Sequence, residues 1–240
     1  MSEVRRLIVA MGGGGFSMEP ERPLLDEHIL SLSRNPEEPQ VCFVPTASAD
    51  SDRYIADFYA SFSARRCRPS DLRLFERRVT DLDSFLLEQD VIYVGGGNTA
   101  NLLAVWRVHG VDAILRRAWD SGTVLCGLSA GMNCWFEACT TDSFNVGRLE
   151  PLHDGIGLLP GSACPHYDGE EQRRPLYLRL VGDGILADGW AADDGAGLVF
   201  DGTELVEVVS SRPQARGYRV ERDGEGVAQE RTLPTRYLGA

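Results

Sequence analysis

The sequence predicts an α/β fold: a mostly parallel sheet with helices on both faces and a C-terminal antiparallel β extension. Three observations carry the prediction. Over the first two thirds of the chain, short apolar runs alternate with runs of helical period. Strands separated by helices build parallel β-α-β units, because a parallel pair needs a long crossover. The last fifty residues instead carry alternating runs joined at Asp201-Gly202 and at "DGEG", which are hairpin turns. No internal repeat, low-complexity segment or linker interrupts the 240 residues, so one domain over 1–240 is expected.

The elements follow in order. "RLIVAMG" (6–12) is an apolar run ended by glycines, a first strand. "PLLDEHILSLSR" (23–34) has helical spacing, with Pro23 suited to a first turn. "QVCFVPTAS" (40–48) is a buried strand and "DRYIADFYASFSARR" (52–66) an amphipathic helix. "DLRLFE" (71–76) alternates, which predicts a strand near an edge, and "DLDSFLLEQ" (81–89) is a short helix. "DVIYVGGG" (90–97) is a strand. "NTANLLAVWRVHG" (98–110) and "VDAILRRAWDSG" (111–122) are helices, each closed by glycine. "TVLCGLS" (123–129) is a strand, and "AGMNCWFEAC" (130–139) reads as the helix after it. The Gly-, Pro- and Asp-rich stretch from 140 to 161 reads as irregular surface. "SACPHYDG" is a strand end running into a loop, and "EEQRRPLYLRLVGDG" is a helix.

Composition limits the function. At 43% hydrophobic the chain can bury a sizeable core, yet no run approaches the ~20 apolar residues of a membrane span. The first apolar run is too short for a signal peptide, so a cytoplasmic protein without membrane contact is expected. Asp and Glu outnumber Lys and Arg 36 to 24, a formal charge of −12, which argues against nucleic acid as a partner. The six cysteines form no C-x-x-C pair and read mainly as reduced core residues. They are not clustered with histidine at ligand spacing, so no metal and no cofactor are expected.

Three glycine-rich turns end strands. "MGGGGFS" (11–17) lacks the lysine of a phosphate-binding loop, and Ser17 breaks a dinucleotide fingerprint. It is either a flexible turn or a set of amides lining a cleft. "GGGNTA" (95–100) fits G-x-G-x-x-[GA], but no strand-ending acid follows about 20 residues on. Its other use is to leave backbone N–H groups facing a cleft, where only glycine permits close approach. "GLSAG" (127–131) is G-x-S-x-G between strand and helix. In that context Ser129 sits on a sharp elbow with its Oγ exposed, and the N–H of Ala130 is a nearby oxyanion donor.

A serine hydroxyl needs an adjacent base. Of the four histidines, His28 and His109 lie in helices and His153 in a loop. His166, in "SACPHYD", sits where a strand end would hold an imidazole rigidly, and it is preferred to His153. The third member is a carboxylate that fixes the imidazole tautomer. Asp193, Asp194 and Asp142 are its candidates.

The motifs "VGGGNTANLL", "LCGLSAGMN", "TTD" and "CPHYD", in that order, resemble the peptidase E–cyanophycinase family of serine peptidases over about residues 40 to 200. The resemblance implies a flavodoxin-like, class I glutamine amidotransferase-like sheet. It implies Ser129 as nucleophile, His166 as base and Asp194 as the acid, with N–H groups of Gly96 or Gly97 and of Ala130 around the oxyanion. Asp142 matches an acid near the site in some relatives. Asn98 and Asp193 join the candidates for substrate-binding or supporting roles. Two departures stand out. Dipeptidase relatives usually carry Glu where this chain has Asp194. Relatives specific for N-terminal aspartate carry an arginine in a loop like "GETREQR", where this chain reads "GEEQRRP". Arg173 and Arg174 are the candidates to bind a substrate carboxylate, and the substrate side chain stays open.

The expectation is therefore a dipeptidase-like serine exopeptidase that cleaves short peptides through an acyl-enzyme, as a monomer or homodimer. The alternatives are a non-catalytic anion-binding protein, and an esterase or amidase with the same triad. A glutamine amidotransferase is disfavoured because its nucleophile would be cysteine at position 129; Cys126 lies back in the strand.

Overall fold

The computed structural model describes residues 4–145 and 147–240. In chain order the strands and helices are β1 (Leu7–Met11), α1 (Leu24–Ser31), β2 (Gln40–Val44), α2 (Asp52–Phe62), β3 (Arg68–Asp71), α3 (Leu82–Leu87), β4 (Val91–Val94), α4 (Thr99–His109), α5 (Val111–Asp120), β5 (Val124–Leu128), α6 (Ala130–Asn133), β6 (Phe136–Asn145), β7 (Arg148–Leu152), β8 (Leu159–Cys164), α7 (Arg173–Gly182), β9 (Gly189–Ala192), β10 (Ala196–Asp201), β11 (Glu204–Ser210), β12 (Gly217–Arg222), β13 (Ala228–Thr232) and β14 (Arg236–Tyr237).

Eight strands form a central sheet in the order β14-β11-β10-β1-β5-β4-β2-β3. The five from β1 to β3 in that order run parallel, and β10 and β11 extend the sheet antiparallel beyond β1. This is the predicted flavodoxin-like class. The parallel strands are buried on both faces, so they read as continuous apolar runs. Period-2 alternation sorts them. Leu7, Val9 and Met11 face α1 and α2, with Leu25, Ile29, Phe58 and Phe62. Ile8 and Ala10 face the opposite core with Trp106, Ile114 and Trp119.

A second sheet, β13-β12-β9-β8-β6-β7, was not legible in the sequence. Its outer face packs on α7 through Tyr177, Leu180 and Val181. Its inner residues Cys139, Leu159, Ala163 and Ala192 join the core on the Ile8 side of the central sheet. Phe200 of β10 meets Phe136 and Trp190 edge-on, with ring centroids 5.9 and 5.5 Å away. The C-terminal hairpins are thus divided: β10–β11 extends the central sheet and β12–β13 belongs to the second.

Three local expectations are corrected. The third strand is Arg68–Asp71, not 71–76. The alternation at 72–75 is real, with Leu72 and Leu74 buried and Phe75 exposed. However, the Asp50 carboxylate accepts the N–H groups of Leu74 and Phe75, both at 2.7 Å, and draws the chain off the sheet. The helix expected over 130–139 is the single turn α6, because the carbonyls of Cys134, Trp135 and Glu137 accept N–H groups of Ile156, Leu159 and Gly155 instead. The stretch expected to be irregular holds the later part of β6, all of β7 and the start of β8, with β6 and β7 paired antiparallel from Cys139↔Leu152 to Asn145↔Arg148. Among the described residues no helix is long and apolar enough to cross a membrane.

Candidate active site

Ser129 caps the turn between β5 and α6 with φ 56° and ψ −114°, a costly conformation for a residue with a Cβ. The flanking glycines permit the elbow. A methyl on Gly127 would meet Gly131 O at 2.5 Å and Val94 O at 2.8 Å, and one on Gly131 would overlap Val94 O. The Ser129 carbonyl accepts the N–H groups of Met132 and Asn133, at 2.9 and 3.0 Å, which starts the helix.

His166 lies two residues beyond β8, also at positive φ, 52°. Its Nδ1 lies 2.5 Å from Asp194 Oδ1, and both side chains are largely buried. Burial alone would raise the Asp194 carboxyl. The hydrogen bond and charge of His166, then the charges of Arg212 and Arg173, more than offset it and hold the group below its ordinary value. Asp194 therefore stays ionised and can accept an Nδ1–H, leaving Nε2 as the imidazole's free nitrogen.

The end of β1 gathers these residues. Met11 O accepts the N–H of Ser129 at 3.2 Å, Gly12 O that of His166 at 3.3 Å, and Gly13 O that of Gly195 at 3.0 Å. Gly13 also forms a parallel bridge with Asp194. Three consecutive carbonyls thus hold three loops remote in sequence. Gly12 must be glycine, because a methyl there would overlap the carbonyls of Ala192 and Asp193. The "MGGGG" turn is built against protein backbone, and its anchoring role was not anticipated. Its position at the end of the first strand was the available signal.

Asp193 points elsewhere. Its Oδ2 accepts the Arg216 N–H at 2.9 Å and the Tyr218 hydroxyl at 3.1 Å. Burial pushes its carboxyl up to about 6. The "GGG" turn packs on the elbow: a methyl on Gly96 would lie 3.3 Å from Ser129 Cβ. The Gly96 N–H donates to the Tyr54 hydroxyl at 3.3 Å. Among the described residues, the N–H groups of Gly97 and Ala130 have no acceptor in the fold. Gly97, at φ 137°, could not carry a side chain, which would overlap Ala47 O. Asn98 caps α4: its Oδ1 accepts the Asn101 N–H at 2.8 Å and its Nδ2 donates to Ser143 O at 2.9 Å.

Neither arginine is free. Arg173 is buried, with Nε 2.8 Å from Glu170 Oε2 and Nη1 donating to Thr140 O at 3.3 Å. Arg174 pairs with Glu230 at 2.5 Å and lies over the rings of Tyr167 and Tyr218. Exposed Asp142 instead lines a cavity of about 210 Å³ with Glu170, Glu171, Gln172, Gly147 and Leu149. The cavity adjoins the His166 loop, since the Glu170 N–H donates to His166 O at 3.2 Å. The six cysteines are free thiols, and Cys126 is fully buried in β5.

Comparison with known proteins adds a family to this geometry. The model of peptidase family S51 matches residues 8–208. The uncharacterized peptidase YgaJ of Bacillus subtilis strain 168 is 53% identical over 232 residues, 97% of this chain and 99% of that protein. Peptidase E of Streptomyces coelicolor is 29% identical over 143 residues, 59% of this chain and 57% of that protein. A peptidase from an acI-B1 actinobacterium shares the fold, with a TM-score of 0.67 at 16% identity, covering 97% of this chain and 96% of that one. The chain belongs to peptidase family S51 and is a serine-type peptidase.

Proposed function

We propose that the protein is an exopeptidase that hydrolyses short peptides through a Ser129–His166–Asp194 triad and an acyl-enzyme. The observation that carries this reading is the His166 Nδ1–Asp194 Oδ1 pair at 2.5 Å, held with the Ser129 elbow on one strand end. Ser129 Oγ attacks the scissile carbonyl while His166 Nε2 takes its proton. Asp194 fixes the tautomer and stabilises the imidazolium. The N–H groups of Gly97 and Ala130 donate to the oxyanion; Gly97 is preferred to Gly96, whose N–H already meets Tyr54. His166 then protonates the leaving amine, and water repeats the sequence to release the acyl group.

Engagement of both Arg173 and Arg174 argues against a requirement for N-terminal aspartate. A library of di- and tripeptides with and without an N-terminal acidic residue tests this. Hydrolysis without preference for N-terminal aspartate is expected, and strict dependence on it would overturn the specificity reading. Ser129→Ala should keep the fold and lose hydrolysis of every substrate the wild type cleaves. Undiminished turnover by that variant would overturn the mechanism. The anion-binding alternative is weakened by the "MGGGG" turn, because Gly12 and Gly13 pack against residues 192–195 where a phosphate would need space.

A further inference from the structure

Two glycines near the site have no conformational need to be glycine. Neither Gly13 nor Gly169 adopts a positive φ. What they lack room for is a side chain, and the same group fills the space at both. A methyl on Gly13 would overlap Asp194 Oδ1 and lie 3.0 Å from its Cγ. A methyl on Gly169 would overlap Asp194 Oδ2 and lie 3.1 Å from its Cγ. The third of the three nearest atoms at Gly13 is Met18 Sδ, at 3.0 Å, the far end of a flexible side chain. At Gly169 the three nearest atoms all belong to the Asp194 carboxylate. The carboxylate is therefore packed between two α-carbons, one from the end of β1 and one from the loop after His166.

The Asp194 backbone is pinned. Its N–H donates to Asp168 Oδ1 at 2.8 Å, and its carbonyl accepts from Arg212 Nη2. Arg212 and Asp168 are themselves paired at 3.0 Å. An added methyl would thus be relieved by rotating the Asp194 side chain, not by shifting the chain. That rotation carries Oδ1 away from His166 Nδ1.

We propose that Gly13 and Gly169 are positioning residues whose missing side chains form a slot that aims the Asp194 carboxylate at His166. The proposal rests on the reading of His166 and Asp194 as the base and its orienting acid. It also accounts for a glycine at position 13 that no backbone angle requires.

The test uses Gly13→Ala and Gly169→Ala, each alone and combined with Asp194→Ala, with folding followed by circular dichroism. The probes are a dipeptide that the wild type cleaves and the low-field proton resonance of the His166 Nδ1–H. In the otherwise wild-type protein, each alanine should abolish that resonance and lower kcat about tenfold or more, with KM within about twofold. In the Asp194→Ala background, the same alanine should change kcat by less than about twofold, because the carboxylate it would displace is gone. Equal losses in both backgrounds, or a wild-type resonance in both alanine variants, would overturn the slot. If the resonance disappears while kcat stays unchanged, the slot stands and the assignment of Asp194 as the catalytic acid falls. Two variants from different elements keep the test open should one fail to fold.

Discussion

Ser129 and His166 stand out as candidates because their signals are local: a serine between small residues at a strand-to-helix turn, and a histidine just after a strand end. The acid does not. Asp193 and Asp194 are adjacent, so their side chains leave the backbone in different directions, and which one meets the imidazole depends on contacts to Arg216, Tyr218 and Asp168 far along the chain. The two should respond differently. Asp194→Asn removes the carboxylate charge and offers Nδ1 an amide N–H that favours the wrong tautomer, and it is expected to lower kcat by two orders of magnitude or more, up to ~10⁴. Asp193→Ala leaves the Tyr218 hydroxyl and Arg216 N–H without their acceptor. It should reduce stability by about 1–3 kcal/mol and kcat by only a few-fold. Steady-state kinetics paired with urea denaturation separates the two outcomes.

Among the elements, the buried parallel strands announce themselves as apolar runs closed by glycine. The helices between them show caps at Ser51, Asp81 and Asn98. What failed were elements defined by partners remote in sequence. β6 and β7 carry Gly, Pro and Asp around them, and only their pairing with each other, and that of β6 with β8, makes them strands. The side-chain hydrogen bond that links β4 to α1 conceals a titration. Asp26 of α1 is fully buried beneath the aromatic cluster, with its Oδ1 accepting the Tyr93 hydroxyl at 3.1 Å and with Arg65 and Glu19 as charged neighbours. Burial pushes its carboxyl up to about 7, and Asp193 follows to about 6. A raised carboxyl holds its proton in the folded state after the unfolded chain has lost it. Its stabilising contribution is complete below the unfolded value of about 4. It declines as pH rises and is lost through about 6 for Asp193 and about 7 for Asp26. The melting temperature should therefore rise between pH 8 and pH 5.5, and Asp26→Asn should flatten most of that rise. A variant with the full wild-type pH dependence would contradict the assignment to Asp26.

At the scale of the molecule, β1 is the organising strand. It joins the parallel half of the central sheet to the antiparallel extension, and its last residues anchor the Ser129, His166 and Asp194 loops. The fold class was readable because alternating helices and strands constrain topology strongly. The second sheet was not, because β9 enters it between β8 and β12 with no local sign of either neighbour. The two sheets share one buried cluster, which includes Ile8 and Phe200 of the central sheet and Leu159 and Ala163 of the second. The chain should accordingly unfold in one cooperative transition. Tryptophan fluorescence, reporting Trp106, Trp119, Trp135 and Trp190 together, should coincide with far-UV circular dichroism in urea, and two separated transitions would contradict a shared core. We propose that residues from three loops act as one catalytic unit at the end of β1. This is tested most directly by kcat/KM for a cleaved dipeptide across Ser129→Ala, His166→Ala and the double variant. Each single change should abolish nearly all activity, and the double variant should be no worse than Ser129→Ala alone. Undiminished hydrolysis by Ser129→Ala, or multiplicative losses in the double variant, would contradict it.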